Sequence, residues 1–471
     1  MGDLFSALSS AASALNAFQR SVDVTQNNVA NANSPGYAKQ VPTFQSQDFQ
    51  TTGGVSGGVR EQTQDTRSEF ADNAVQQQLS LLGQFQQLQT SLAPLQTVLD
   101  VSSNSAIPTA LNNLFQSFSQ WSAHPSDTTS QSLVISAAQQ AGSAFQQTAA
   151  QLNNIRSATD KDLQSTVDQI NQDALQIQDY NQSVARDSTP DAGRDARLHA
   201  TLEDLSSLAD IQVMPGNGAT VTVLLGGQTP LVIGAQINTL HVQDASSVNP
   251  VGPPDKTIVD STGRDVSAQV TSGSLYGLLT VRNNLIPSLA GGGQQAGDLN
   301  TLAQGLADTV NNLLAQGSTT LTPPYQAGSA LFSYDPSSPS GVAASLGVNP
   351  NLLPGQLAGI DPGPPLVSNG IALRLAGLDS DPNGQINGLS FTQFFSTLAS
   401  RVGNAAQSAD TSVAAQTQLV AQAKTLRQQL SGVSMDEEAI RLIQLQSSYQ
   451  AASKVVTIVD QLMQSLIDMV H

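Results

Sequence analysis

The chain has 471 residues, of which 11% are charged; 36 are acidic and 18 basic, giving a net charge of −18. So acidic a surface repels phosphate backbones and anionic headgroups, which argues against nucleic acid and membranes as partners. There is no cysteine, so disulfides, thiolate metal centres and a cysteine nucleophile are excluded, and stability must come from packing or assembly.

Met1-Gly2 with Ser6 fits a loose myristoylation pattern, but Leu4 and Phe5 read better as the start of a helix. No basic residue precedes Arg20, as a secretory leader would require. Leu4, Leu8, Ala11, Leu15, Phe18, Val22, Thr25 and Val29 then alternate steps of four and three, the seam of a coiled coil. The seam stops at Asn33-Ser34-Pro35-Gly36-Tyr37, where proline fixes φ and glycine accepts a positive one. Val75, Leu79, Leu82, Phe85, Leu88, Leu92, Leu95 and Leu99 mark a second helix. Leu111, Leu114, Phe115, Phe118 and Trp121 mark a shorter one that ends at Ala123-His124-Pro125. An Ala/Gln-rich helix near 132–155 precedes another striped by Leu163, Val167, Ile170, Ala174, Ile177 and Val184.

After about Leu205 the character changes. β-rich runs at 211–213, 220–225 and 231–233 are separated by Gly216-Asn217-Gly218 and Gly226-Gly227-Gln228, both hairpin signals. Helix resumes over 273–288 and 298–315, followed by a Gly/Pro-rich stretch with weak strands near 331–334 and 371–375. No proline follows Pro382, and the remainder reads as two long helices over 391–430 and 435–469. In the last of them Leu442, Leu445, Tyr449, Ala452, Val456, Val459, Met463, Leu466 and Val470 form a second seam. Ser434 with Glu437 forms a capping box there, and Asp436, Glu437 and Glu438 put negative charge at the positive end of the helix dipole.

The fold class is therefore mainly α with an inserted small β domain, an α+β multidomain chain with terminal helices in a coiled coil and a central long-helix bundle. Residues 1–50 with 432–471 form the terminal coiled-coil domain. Residues 51–204 with 267–431 form the helical bundle, and 205–266 the inserted antiparallel β domain.

Sites for chemistry are scarce. His124, His199, His241 and His471 show no ligand spacing. Asp379-Ser380-Asp381-Pro382-Asn383-Gly384 copies half of a calcium loop, but the twelfth position, which should supply a bidentate glutamate, is Ser390. No phosphate-cradling glycine motif or nucleophile elbow occurs. No catalytic, cofactor or metal residue is expected, and no cofactor.

Two segments carry a resemblance. Asn27-Asn28-Val29-Ala30-Asn31-Ala32-Asn33-Ser34-Pro35-Gly36-Tyr37-Ala38-Lys39-Gln40 resembles the N-terminal signature of flagellar rod, hook and hook-associated proteins. Ser431-Gly432-Val433-Ser434-Met435-Asp436-Glu437-Glu438-Ala439, with Leu445-Gln446-Ser447-Ser448-Tyr449-Gln450-Ala451, resembles their C-terminal one. Within that group, Gly432 and Asp436-Glu437-Glu438-Ala439 are closer to the hook-associated proteins of the hook–filament junction. So are Trp121-Ser122-Ala123-His124-Pro125 and Gly273-Ser274-Leu275-Tyr276-Gly277-Leu278-Leu279. Lys39 stands where arginine is commoner, Ser447-Ser448 replace bulkier residues, and the chain is short, which implies a reduced outer domain.

The resemblance implies a non-enzymatic structural subunit at the distal end of the hook, extracellular and exported through the flagellar type III channel, on which the filament is built. Implied partners are identical subunits, the hook protein, the second hook-associated protein, transiently the filament cap protein, and an export chaperone. The assembly interface would be Leu4, Leu8, Leu15, Phe18, Val22 and Val29 with Leu442, Leu445, Tyr449, Ala452, Val456, Val459, Met463 and Leu466. The motif residues carried over are Asn27, Asn28, Asn31, Asn33, Pro35, Gly36, Tyr37, Gln40, Gly432, Asp436, Glu437 and Glu438. Hook and rod subunits share the signatures and stand as the alternative. A secreted coiled-coil effector or adhesin would share only the helices.

Overall fold

Runs rich in Ala, Gln, Leu and Ser lose little side-chain freedom in a helix, and here they become the long helices. The structure, a computed structural model, describes residues 2–47, 58–101, 106–246, 250–381 and 386–469, with backbone alone at 2–6, 47 and 466. Leu4, Leu466 and Val470 of the seams, and Pro382, Asn383 and Gly384 of the half calcium loop, thus lie outside the residues whose side chains are described.

In chain order, α1 (Gly2–Ala30) leads to an antiparallel hairpin of β1 (Gln40–Gln47) and β2 (Gly58–Asp65). Four helices follow: α2 (Glu69–Val98), α3 (Ile107–Ala123), α4 (Thr128–Arg186) and α5 (Ala192–Leu208). A four-stranded antiparallel meander comes next, β3 (Ile211–Pro215), β4 (Val221–Leu225), β5 (Thr229–Ile233) and β6 (Gln236–Ile237). It is followed by a separate pair, β7 (His241–Asp244) with β8 (Lys256–Val259). Helix α6 (Gly273–Thr280) runs through a π-helical turn at Val281–Leu285 into α7 (Ile286–Ala290). The rest is α8 (Asp298–Gln316), β9 (Phe332–Ser333), α9 (Val342–Ser345), β10 (Gly347–Val348), α10 (Gly370–Ala376), α11 (Phe391–Ser431) and α12 (Met435–Asp468).

Several sequence expectations change. The two helices read within 128–186 are one helix, and residues 371–375 are helix α10 rather than strand. The capping box expected at Ser434 is half made. Ser434 accepts from the Glu437 backbone, but the Glu437 carboxylate goes to Lys39 instead. A complete box forms at Ser390 and Gln393, opening α11.

Two hydrophobic cores share α4. The first gathers Trp121, Phe118 and Leu111 of α3, Phe145 of α4, Leu302 and Leu306 of α8, and Phe391 and Phe395 of α11. The second joins Leu163, Val167, Ile170 and Ile177 of α4 to Leu202 of α5 and to Val223, Leu231 and Val232 of the sheet. The strands therefore pack on helices and have no core of their own, unlike a freestanding insertion. Between the cores lies a polar waist. There Arg282, in the π turn, donates to Asp160 at 2.5 Å, and buried Arg156 donates to the Gly291 carbonyl.

Inside the second core Asp173 is 3% exposed. One of its oxygens accepts from Gln169 at 2.9 Å, and the other has no partner. Burial, with the nearby Asp204 charge, pushes its carboxyl up to about 6 against the pull of the Gln169 bond. A raised folded value means the folded state holds the proton more tightly. Its stabilising contribution is thus present below the unfolded value near 4 and lost as pH rises to about 6. Asp173→Asn should match the wild type in melting at pH 4 and exceed it at pH 7.5, by about 3 kcal/mol at most. A gain that is the same at both pH values would refute this.

Candidate assembly site at the joined termini

The chain leaves α1 through a tight turn. Ser34 N donates to the Asn31 carbonyl at 2.9 Å and Tyr37 N to the Ser34 carbonyl at 3.2 Å. The Asn31 side chain donates back to the Asn27 carbonyl at 3.0 Å, and Ser34 donates to Asn31 at 3.1 Å. Gly36 sits at φ +71°, and a Cβ there would lie 2.2 Å from the Ala196 carbonyl oxygen of α5. Only glycine fits, both for the turn and for the close approach.

This turn brings the two signatures together. Asn28 is fully buried. Its amide donates to the Gln40 carbonyl at 2.8 Å and to Glu438 Oε2 at 3.0 Å. Its side-chain oxygen accepts from Tyr37 Oη and from Gln40 N, each at 2.9 Å. Two donors and two acceptor positions are thereby all used. Glu438 is 1% exposed, so its charge requires partners. Asn28 is one, and Lys39 Nζ, 3.3 Å from Oε1, is the other, an ion pair without hydrogen-bond alignment. Lys39 also bonds Glu437 at 2.8 Å, and that bond holds the Glu437 carboxyl below its ordinary value. Burial pulls the Lys39 ammonium down, but Glu437 and Glu438 outweigh it and the net shift is upward. Burial and the Glu438 charge push the Tyr37 hydroxyl up to about 12, so it stays a donor.

The clasp extends to the backbone. Lys39 N donates to the Ser431 carbonyl at 2.9 Å, Ser68 N to Ser431 Oγ at 3.1 Å, and Arg441 to the Pro42 carbonyl at 3.2 Å. Gly432 caps α11, where a Cβ would lie 2.3 Å from the Gln428 carbonyl oxygen. Asn27, Asn33, Pro35 and Asp436 of the motif are exposed and make no clasp bond among those described. Arg67, which donates to the Gly36 carbonyl at 2.7 Å, and Arg441 were not singled out from sequence, since nothing local marks either.

From the clasp α1 and α12 run side by side, antiparallel, because the end of one meets the start of the other. Leu445 and Val459 of α12 are buried and Leu442, Ala452, Val456 and Met463 half-buried, whereas Tyr449 is exposed. On α1, Leu8, Leu15, Phe18 and Val22 are half-buried and Val29 exposed. The best-buried positions there are Ala17, Ser21, Thr25 and Asn28. At Ala17, Ser21 and Asn28 the buried face thus lies one residue off the apolar seam, and it meets the seam at Thr25. Ser21 and Thr25 can occupy it because their hydroxyls bond the Ala17 and Ser21 carbonyls. Phe18 also meets Phe44 of β1 edge-on, with ring centroids 5.6 Å apart.

α12 has a second apolar stripe on its other side. Ile440, Ile443, Val455, Ile458 and Leu462 are all exposed, Ile443 by 64%. Among the described residues no cluster of three or more His, Cys, Asp or Glu could hold a metal, and no helix is long and apolar enough to cross a membrane.

A family model described as the helical domain of flagellar hook-associated protein FlgK matches residues 92–332, just over half the chain. Models for a flagella basal body rod protein and for the C-terminal part of the basal body rod FlgEFG proteins match residues 8–37 and 427–469. Those two segments are the ones that clasp. Flagellar hook-associated protein 1 of Bacillus subtilis (strain 168) is 24% identical over 519 residues, covering 99% of both chains. The fold is similar to that of the flagellar hook junction protein FlgK from Burkholderia pseudomallei. The TM-score is 0.63 at 17% identity, over 76% of this chain and all of that one.

Proposed function

The chain belongs to the flagellar hook-associated protein FlgK family, and from that premise we propose that it assembles through the face of α12 that its own α1 leaves bare. It is a structural protein of the hook–filament junction. The observation that carries the finer reading is the stripe Ile440, Ile443, Val455, Ile458 and Leu462. Covering each large aliphatic side chain stabilises by roughly 1.5–3 kcal/mol, and a patch of this kind marks an interaction surface. Identical subunits side by side would cover it, with the paired helices forming the inner layers of an axial tube. The hook protein below and the second hook-associated protein above are the neighbours such a tube requires. The filament cap protein would touch it transiently. Passage through the type III export channel and escort by a chaperone belong to the same reading, and an unfolded α1–α12 pair would suit a narrow channel.

The reading is of a structural role and invokes no catalysis. In the clasp itself, Glu438 and Lys39 are ion-paired with each other and hydrogen-bonded to Asn28 and Glu437, an arrangement that suits a structural joint. Deleting the gene should leave cells with hooks but no attached filaments, and with filament subunits in the medium. Electron microscopy of the cells and blotting of the supernatant read this. Normal swimming by the deletion strain would end the proposal.

A further inference from the structure

The four-stranded sheet has β3 at one edge, paired on one side only, with β4. In an antiparallel pair, alternate residues turn their backbone groups toward the partner strand and away from it. The Asp210 carbonyl accepts from Gly226 N at 2.9 Å, and Gly216 N donates to the Thr220 carbonyl at 2.8 Å. Even-numbered residues therefore face β4, and Ile211 and Val213 turn their N–H and C=O outward. Among the described residues those outward groups have no hydrogen-bond partner. Pro215 takes the next outward position, where it has no N–H to offer, and a proline so placed blunts an edge. Complete pairing groups are thus left at 211 and 213 alone.

Ile211 and Val213 border a cleft of about 720 Å³ whose other wall is α2, with Asn73, Gln76, Gln77 and Ser80. Clefts of roughly 300–1,000 Å³ suit a small ligand or a short peptide. Ser80 and Ser272 bridge the walls, hydroxyl to hydroxyl, at 2.5 Å. Gln76 is only 8% exposed, yet its amide makes no hydrogen bond among the described residues. Leaving a buried amide unpaired is costly, and it offers two donors and an acceptor to whatever fills the cleft. Asn73 and Gln77 also bond nothing described. The ionisable residue among those lining the cleft is Asp210, whose Oδ2 accepts from Thr271 at 2.5 Å.

We infer that this cleft receives an extended strand of another protein, added to β3 at Ile211 and Val213 and met on its far side by the amides of α2. Strand addition draws its affinity from main-chain hydrogen bonds and its selectivity from the walls beside them. The wall here is built of amides, while Asp210 and the net charge of −18 repel acidic side chains. The incoming strand is therefore one of uncharged polar or basic residues. A sugar could use the amides, but only a polypeptide uses both the amides and the outward backbone groups. The cleft lies wholly in the body, so it depends neither on the terminal helices nor on filament assembly.

The test is a selection of short random peptides displayed against the full chain, followed by titration of those enriched. Val213→Pro removes one outward N–H by the device that Pro215 already uses, and Gln76→Met removes the amide at similar volume. Each should weaken binding by about tenfold while the melt stays in place, and the enriched peptides should lack Asp and Glu. Hydrogen exchange on the unsubstituted chain gives a reading that needs no variant. The Ile211 and Val213 amides should exchange fast when free and about tenfold more slowly with peptide bound. The inference is overturned by a selection that enriches nothing, by enriched peptides that are acidic or bind Val213→Pro equally well, or by exchange that does not slow. Oligosaccharide binding that is lost in Gln76→Met and kept in Val213→Pro would make this a sugar cleft and overturn it too. So would dimerisation that Val213→Pro abolishes, since a second copy would then fill the edge.

Discussion

A chain carrying Val455→Asp with Ile458→Asp should fold and melt as the wild type does, yet restore no filaments to a deletion strain. Val455 is 48% and Ile458 56% exposed in the single chain, so carboxylates there stay in water and cost the monomer little. Under the proposed assembly a second subunit covers the stripe, and the same carboxylates would lose their solvent without gaining partners. Such burial costs about 3–5 kcal/mol per unpaired charge, more than the two aliphatic side chains contributed. The measurements are a circular dichroism melt and a count of filaments per cell, with secretion of the variant assayed alongside. Restored filaments would mean that this face is not where neighbours sit; a lowered melt would mean that it is covered within the chain.

Moving one residue along the helix changes the outcome. Val456→Asp with Val459→Asp puts the charges on the side that α1 covers, where Val459 is only 7% exposed. The pair should come apart. Neither α1 nor α12 should be stable alone in water, since a helix in a protein draws most of its stability from the packing it would then have lost. Helix signal should therefore fall by up to the 29 residues of α1 and the 34 of α12, even at low temperature. The main cooperative transition should remain, because both hydrophobic cores are built from α2 to α11 and the strands between. Filaments fail here too, but for a different reason, and the spectrum separates the cases. Loss of the main transition would place α12 in the core of the body, and an intact spectrum would refute the pairing.

Helices α8, α11 and α12 were legible because proline is absent from them and apolar residues recur every three or four positions. Helix α4 was read as two because its stripe breaks near Arg156 and Asp160, which serve the polar waist rather than a core. Helix propensity carries the backbone through where periodicity lapses. Ile371–Leu375 was misread because a short apolar run has no period of its own; Gly359 settles it by accepting from the Ile371 and Ala372 backbones. The β1–β2 hairpin gave almost no signal, being rich in glutamine and carrying Pro42.

At the site, the signatures mark two segments that meet in the fold, but not which of their residues join them. Four asparagines lie within Asn27–Asn33, and only Asn28 joins the two termini. That choice follows from helix phase and from the position of Glu438, 410 residues away. The apolar seams likewise pointed to pairing, yet the exposed stripe of α12 emerged only once α1 had taken one side of the helix.

Helix α4 has a consequence for leverage. Its 59 residues make a rod of about 88 Å at roughly 1.5 Å per residue, passing through both cores and fixed midway at Asp160 and Arg156. From Asp160 to Arg186 the arm is about 39 Å, and the sheet rides on that arm. A tilt of about 10° at the waist would carry the sheet sideways by about 7 Å while the first core barely moved. In an axial assembly of the kind proposed, the radius at which the strands stand would thus respond to changes at the Arg282–Asp160 contact, far from the strands themselves.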